Sequence, residues 1–340
     1  MHQCMPWVSC WARYACISRL AQVRNHTPNG VPSGMITLLI VLLGNAFGLH
    51  HRGPAKFCWD DVFKPNAKVF HLHTPKVAGC SVVEDLSHFI GRKQIYSKET
   101  CFSQSLEGSF QDTVVMVRRP RDHVFAMYQH CHNFISGSFR WEMHIVRQFP
   151  GMEDHHVPRS FNKWVAEWQR SPRFGDHHML LDKDFCYCPY NMQTSRLVCK
   201  ESHPRAHSYC YEKPDLDEAM KNLKAATLLG VVEAYHESFC LFHAHFLRSL
   251  PDSCKCESPT WSSFSPSDHH HGYSYNQTIE DMPQETIEKV DEMTTEDMKL
   301  YKAAVKRFID EIEKVEQHFG SRVLCNNQRQ NLQQMAGLAG

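Results

Sequence analysis

The chain has 340 residues, enough for one large domain plus a terminal extension. Lys plus Arg and Asp plus Glu each total 37, so the formal charge is zero. That balance excludes a general nucleic-acid binder and makes any basic site a local one; the 24 histidines would turn the net charge positive in mildly acidic surroundings.

Residues 1–30 lack apolar periodicity and read as a tail. The segment 31–49 holds the long apolar run of the chain, Met-Ile-Thr-Leu-Leu-Ile-Val-Leu-Leu at 35–43, preceded by Arg13, Arg19 and Arg24. Basic residues ahead of an apolar segment orient its N-terminus to the cytosol. The run is short against the roughly 20 residues of a full span, a length that thin early-secretory membranes tolerate. It fits the signal anchor of a single-pass type II membrane protein. It equally fits a signal peptide starting at Met35 and cleaved around Ala46-Phe47-Gly48. A buried core helix is the plain alternative. Both of the first two place the remainder in the secretory lumen. Residues 50–66, with Gly53-Pro54 and Lys64-Pro65, read as a stem ahead of a catalytic domain over 67–320. The cysteines agree with a lumenal chain: there are 15, and the 12 after residue 50 are an even set that suits disulfides. Cys186-x-Cys188 and Cys254-x-Cys256 lack the gap and the partner spacing of a zinc site. Asn276-Gln277-Thr278 is an N-glycosylation acceptor in such a chain.

Residues 67–84 read Ala-Lys-Val-Phe-His-Leu-His-Thr-Pro-Lys-Val-Ala-Gly-Cys-Ser-Val-Val-Glu. A β-prone run at 69–72 meets a turn carrying Pro75, Lys76 and Gly79. Cys80-Ser81 then opens a helix that runs through 81–90. Strand, tight loop and helix N-terminus is a layout that binds phosphate-like anions. The loop amides point inward, the helix dipole adds positive potential, and a lysine supplies a full charge. The lysine precedes the glycine, so this is not the Walker pattern. Residues 91–112 are polar and mixed, long enough for a crossover. A continuous apolar run at 113–118 predicts a strand buried on both faces of a parallel sheet, followed by a helix over 121–134. The stretch 113–130 reads Thr-Val-Val-Met-Val-Arg-Arg-Pro-Arg-Asp-His-Val-Phe-Ala-Met-Tyr-Gln-His.

Residues 135–180 are loop-rich, with an aromatic helix around 161–168. Its Trp164 and Trp168, one turn apart, either pack in a core, the commoner role, or stack on sugar rings. Residues 190–197 read Tyr-Asn-Met-Gln-Thr-Ser-Arg-Leu. A helix over 215–224, a third strand over 226–233 and a helix over 235–247 follow. The Ser/Pro/His-rich loop 251–276 carries Asp268-His269-His270-His271, whose adjacency argues against ligation of one ion. Residues 295–318 predict a long amphipathic helix with Met298, Tyr301, Val305, Phe308 and Ile309 on one face. The polar tail 321–340, rich in Asn and Gln from 325, reads as disordered. No internal repeat is visible.

Pro-Lys-x-x-Gly-x-Ser after a strand resembles the 5′-phosphosulfate loop of sulfotransferases, enzymes that use 3′-phosphoadenosine-5′-phosphosulfate (PAPS). The second motif of that family is a strand, then Arg-x-Pro, then a helix with Ser and Tyr. Arg118, Pro120 and Tyr128 match it, with Ala126 in place of the serine and His123 where a second arginine is common. Asn191-x-Gln193-x-x-Arg196-Leu197 and the later strand–Gly-Val-Val-Glu–helix unit are similar to segments of Golgi carbohydrate sulfotransferases. The resemblance covers roughly residues 67–310 and rests on three short windows.

The resemblance implies a P-loop-like three-layer α/β fold with a central, mostly parallel sheet. It implies donor binding by Pro75, Lys76, Gly79, Cys80, Ser81, Arg118, Arg119 and Arg196. Lys76 would reach the bridging oxygen of the phosphosulfate, and Gly79 would let the backbone approach the anion. Ser81 and the amides of Cys80 and Ser81 would hold the 5′-phosphate. Arg118 would pair with the 3′-phosphate, with Arg121 or His123 making up for Ala126. PAPS is the co-substrate and no metal is needed. The general base is one of Glu84, His88, His130 and His132; Glu84 and His130 are favoured because each lies on a helix that begins at a nucleotide motif. The plain readings of these residues are a solvated lysine, ordinary N-capping and a polar helix face. The implied function is sulfonate transfer from PAPS to a glycan or glycoprotein hydroxyl, by a Golgi membrane protein with a lumenal catalytic domain; a tyrosylprotein acceptor stays open. The rival is a non-catalytic glycan-binding or scaffold protein that keeps the fold, because Cys80 and Ala126 each remove a hydroxyl donor. A kinase is disfavoured by the missing Walker lysine and magnesium-binding carboxylate.

Overall fold

Short apolar runs that each feed a helix give the chain its frame. The computed structural model describes residues 67–136, 160–170, 187–200, 211–261 and 277–338. In chain order they form β1 (Val69–Leu72), α1 (Gly79–Ile90), β2 (Ile95–Lys98), α2 (Ser103–Glu107), β3 (Asp112–Val117), α3 (Pro120–Ser136) and α4 (Phe161–Arg170). There follow α5 (Met192–Val198), α6 (Leu216–Ala225), β4 (Leu228–Val231), α7 (Tyr235–Leu247), α8 (Gln284–Met293), α9 (Thr295–Phe319) and α10 (Asn326–Met335). The four strands lie in the order β2-β1-β3-β4, and every pairing is parallel. The fold is therefore α/β with an all-parallel sheet flanked by helices, where a mostly parallel one was expected.

Register places Leu72 beside both Lys98 and Val115, and Val117 beside Val231. The segments that leave the four strands thus emerge at one edge of the sheet. From β1 the chain moves outward to β2, and from β3 it moves the other way to β4. The crevice between β1 and β3 is the topological switch point, where open parallel sheets bind ligands beyond their strand ends. Both expected anion motifs leave the sheet there.

Burial explains why the central strands were readable. All four residues of β1 are buried, as are the last four of β3 and all of β4. Helix α7 packs on α1 through Phe89 and Phe239, whose ring centroids are 5.3 Å apart, and through a 2.6 Å bond from Tyr235 Oη to Asp85 Oδ2. Helix α9 buries Tyr301, Val305, Phe308 and Ile309, as its period predicts, with Met298 only partly buried. Trp164 and Trp168 are buried in a second aromatic cluster with Phe125 and Phe161, so they pack rather than face a sugar.

Several elements differ from expectation. Strand β2 and helix α2 lie inside the presumed crossover. Only Ile95 and Tyr96 of β2 are buried, as befits an edge strand, so its apolar signal is two residues long. Strand β4 ends at Val231, where a 3₁₀ turn begins. The tail is not disordered: α10 buries Leu332 against the main core. It is also tied down by a Cys256–Cys325 disulfide and by ion pairs from Arg329 to Glu313 and Glu316. Further disulfides join Cys101 to Cys199 and Cys240 to Cys254, and Cys131 and Cys188 are disulfide-bonded as well. His236 lies with Cys240 and Cys254, their ligand atoms all within 4.8 Å of one another. Those two sulfurs are bonded to each other, which leaves no thiolate for a metal. The expected tail, anchor and stem over 1–66, the glycosylation residue Asn276 and the Asp268–His271 cluster lie outside the described residues. Among the described residues no helix is long and apolar enough to cross a membrane.

A packed α10 has a measurable consequence. Leu332→Ala is expected to lower unfolding stability by about 2–4 kcal/mol in urea titrations of the oxidised protein. A loss within about 0.5 kcal/mol, the range of a surface position, would mean that α10 is not part of the core.

Candidate active site

The loop from β1 to α1 turns by placing two residues with side chains in left-handed backbone. Lys76 and Ala78 both have φ 62°, a conformation that costs of order 1 kcal/mol or more per residue and clusters at functional sites. The turn delivers α1 at Gly79 with Ala78 as its N-cap. Alanine has no oxygen to offer; the helix start carries no side-chain cap, and its first turn holds no acidic residue. The first intrahelical bond runs from Val82 N–H to Ala78 C=O at 3.0 Å. The amides of Gly79, Cys80 and Ser81 are therefore the orphan donors of a helix start, at the positive end of its dipole. Gly79 has a packing reason beside the expected one. A Cβ there would lie 2.1 Å from the His73 ring, so glycine lets α1 begin against that ring.

Three of the expected cations converge on this loop. Lys76 Nζ lies 3.0 Å from His130 Nδ1. Arg118, the first residue after β3, donates from Nη1 to Lys76 C=O at 3.1 Å, while its Nε has no partner among the described residues. Arg196, on α5, is fully buried, and none of its three guanidinium nitrogens has a hydrogen-bond partner among the described residues. Burial pushes Lys76 down to about 8, helped by the charge of Arg118 and opposed by Glu99 and Cys80. Burial also lowers Arg196 to about 10, against Glu99 and Tyr187. It lowers Arg118 against Glu233 and Asp122. At pH 7 all three stay charged.

The other basic candidates are engaged elsewhere. Arg119 donates from Nη1 to Glu280 at 2.6 Å and lies 3.5 Å from Asp122, and its backbone N–H donates to Glu233 at 2.8 Å. Arg121 holds Asp291 through two bonds of 2.7 and 2.6 Å. His123 is buried and donates Nε2–H to Pro75 C=O at 2.7 Å. Burial lowers its pKa to about 3, so it fixes the loop as a neutral ring and supplies no charge. Pro75 thus serves the loop through its carbonyl. Ser81 and Cys80 sit half-buried in the first turn of α1, and Cys80 keeps its thiol. Ala126 is buried in α3.

The carboxylate of the site is one the sequence did not single out. Glu99 follows β2 at the same sheet edge. It acts electrostatically on both Lys76 and Arg196, bonds the Tyr187 side chain, and stands 3.9 Å from His73 Nε2. Its side chain is 21 % exposed, so solvent reaches it. Tyr187 stacks on His130 at 5.8 Å, and burial together with Glu99 pushes its phenol well above the usual range, so it stays neutral. A Cys101–Cys199 disulfide, with Phe102 N–H donating to Arg196 C=O at 2.9 Å, pins the chain after Glu99 to the end of α5. Glu84, by contrast, shows contacts with neither Lys76 nor His130 among the described residues; its carbonyl accepts from Ser87 Oγ at 2.7 Å. His88 is exposed, and the His132 ring lies tilted against Tyr128 with centroids 5.6 Å apart. Recognising β2 would have pointed to Glu99, because the residue after a parallel strand stands at the ligand edge.

No protein-family model, curated protein or solved structure matches the chain. The site therefore stands on its own chemistry. The buried Arg196 and the half-buried Lys76 and Arg118 lie at an uncapped helix start, with Glu99 acting on Lys76 and Arg196, and Glu233 and Asp122 on Arg118; orphan amides beside cations are a donor set suited to an anion. A cavity of about 390 Å³ among Leu228, Leu241, His245, Arg248 and Lys314 opens at the other end of β4, away from these groups.

A buried guanidinium with no hydrogen-bond partner among the described residues carries a desolvation cost that is only partly offset. Arg196→Met is therefore expected to raise the stability of the ligand-free protein, by about 1–3 kcal/mol, and to abolish anion binding at the crevice. Thermal unfolding with and without adenosine 3′,5′-bisphosphate reads both effects. A variant that is less stable than the parent and still stabilised by the ligand would contradict this account.

Proposed function

We propose that the crevice binds PAPS and that the protein transfers its sulfonate to a hydroxyl of a glycan acceptor in the secretory lumen. The observation that carries this reading is Arg196, fully buried with no hydrogen-bond partner among the described residues, beside Lys76 and Arg118 at an uncapped helix start. A mononucleotide with two separated anionic groups matches such a site better than a single phosphate. The α1 amides and Lys76 take the phosphosulfate; Arg118 and Arg196 take the second phosphate. The lumenal location draws support from the disulfides. The glycan acceptor and the Golgi anchor rest on the resemblance of residues 190–197 and on the apolar run at 35–43.

In the transfer step the acceptor oxygen attacks sulfur in line. The S–O bond to the bridging oxygen breaks, its electron pair stays on the 5′-phosphate, and the acceptor proton passes to a base. Lys76 donates to the bridging oxygen as charge builds there. An ammonium depressed to about 8 gives a hydrogen bond more readily than an ordinary lysine. Glu99 serves better as base than Glu84 or His130. It is partly exposed, close to the cations, and needs no tautomer change. His130 Nδ1 already accepts from the Lys76 ammonium, which leaves the proton on Nε2. Binding without turnover is the second reading, favoured by the alanine that α3 buries at 126.

Incubation of the purified chain with ³⁵S-labelled PAPS and a panel of glycans tests the proposal. Label should reach at least one glycan, and Lys76→Ala should abolish the transfer. Glu99→Gln should reduce turnover by about 10²–10⁴-fold while leaving bisphosphate affinity equal or tighter, since it removes a competing anion. Bisphosphate binding with no transfer to any acceptor supports the second reading; absence of binding rejects both.

The Lys76 value adds a pH signature. The ligand favours the ammonium form, and the empty site loses that proton above about pH 8. Bisphosphate affinity should then fall by about tenfold per pH unit above 8, the slope of a single proton, and Lys76→Met should flatten that dependence in calorimetric titrations.

A further inference from the structure

We propose that Gln193 is a positioning residue that sets the distance between Arg118 and Arg196, and with it the spacing of anionic groups the crevice accepts. This rests on the reading of the site given above. The segment Asn191-x-Gln193-x-x-Arg196 has no assigned role for its first two polar residues, and each has a separate use.

Asn191 starts α5 in a left-handed conformation, φ 40°. Its Oδ1 accepts from the backbone N–H of Glu296 at 2.9 Å and of Asp297 at 3.2 Å, the first amides of α9. Asp297 returns the contact. Its carboxylate accepts from Gln193 N–H at 3.2 Å, Thr194 N–H at 2.7 Å and the Thr194 hydroxyl at 2.7 Å, at the start of α5. Two helices therefore cap each other. The position of α5 is fixed against the longest helix among the described residues.

From that base the Gln193 side chain reaches the backbone of Arg118. Its Oε1 accepts from Arg118 N–H at 2.8 Å, and its Nε2 donates to Arg118 C=O at 2.8 Å. Both main-chain groups of Arg118 lie just beyond the end of β3, where the β3–β4 pairing stops at Val117 and Val231. The amide supplies the rung that no strand provides there. Arg196 follows Gln193 by three positions, on the same face of α5. One helix face thus grips the backbone of one arginine and carries the other arginine itself. Both bonds of the Gln193 amide go to the Arg118 backbone, so it acts through Arg118.

The test uses the full chain and adenosine 3′,5′-bisphosphate as the probe. Calorimetric affinity and thermal midpoint are measured for the parent, Gln193→Ala, Gln193→Glu and Asn222→Ala. The last loosens α5 at its other end, where Asn222 Nδ2 donates to Leu197 C=O at 2.8 Å. Gln193→Ala is expected to weaken binding by about tenfold or more, since two part-buried hydrogen bonds are lost. Asn222→Ala is expected to lower the midpoint without that loss. Gln193→Glu is the decisive variant. Ionised, it can accept from Arg118 N–H but cannot donate to Arg118 C=O; protonated, it does both, as glutamine does. Its affinity deficit relative to the parent should shrink as pH falls from 7.5 to 5. A Gln193→Ala variant that binds as tightly as the parent overturns the positioning role. So does a Gln193→Glu deficit that does not change with pH, because a general loss of structure has no such profile. A parent protein that fails to bind the bisphosphate takes down the reading of the site together with the positioning role; a parent that binds leaves the two separable.

Discussion

Burying a guanidinium with no hydrogen-bond partner among the described residues is the constraint on which this structure depends. Taking a charged group out of water carries a desolvation penalty of several kcal/mol, which a well-placed partner only partly offsets. Lys76, Arg118 and Arg196 all incur that penalty at one edge of one sheet, and Arg196 does so with no hydrogen bond among the described residues. The chain as a whole is balanced, 37 basic against 37 acidic residues, so the gathering of these cations is local and not a by-product of composition. Places where a fold breaks the rules of polar satisfaction are the places to look for function.

Such a cluster needs a stiff frame, because each cation comes from a different part of the chain. The parallel sheet provides the first level by bringing the exits of β1, β2 and β3 to one edge. Helix α9 provides the second. Its Asp297 holds the start of α5, which carries Arg196. One turn on, Tyr301 Oη donates to Glu233 at 3.0 Å, and Glu233 accepts the backbone N–H of Arg119. Burial raises the pKa of both carboxyls, Asp297 to about 6, against the hydrogen bonds they accept. Asp297 and Tyr301, one turn apart on α9, thus brace the two sides of the crevice, the first directly through α5 and the second through Glu233. The Cys101–Cys199 bridge supplies the third level, joining the Glu99 strand exit to α5.

How much of this the sequence disclosed follows from signal length. Strands β1 and β3 are covered on both faces, so they are written as continuous apolar runs, and the loops after them carry recognisable residues. Lys76, Arg118 and Arg196 were legible for that reason. Strand β2 is an edge strand with two buried residues, and missing it hid Glu99, which no local motif marks. Helix α10 is polar almost throughout; Leu332 and a distant disulfide partner fasten it, and neither shows in a local window. Arg119, Arg121 and His123 occupy motif positions, yet Glu280, Asp291 and the Pro75 carbonyl lie far away in sequence and decide what those side chains do. Residue type fixed the candidates, and tertiary partners sorted them.

Glu99 shows why the sorting matters for chemistry. Its carboxylate is the counter-charge to Lys76 and Arg196 and the partner of Tyr187. A carboxylate held by cations is a weak proton acceptor, because neighbouring positive charge favours its ionised form. On the reading proposed above, a donor's phosphates take over those cations and surround Glu99 with negative charge instead. The carboxylate is freed from those cations only then, when an acceptor hydroxyl has a sulfonate to attack. One residue can in this way neutralise the site while it waits and accept a proton once it is filled. The arrangement needs no moving lid, only that the carboxylate and the donor compete for the same two cations.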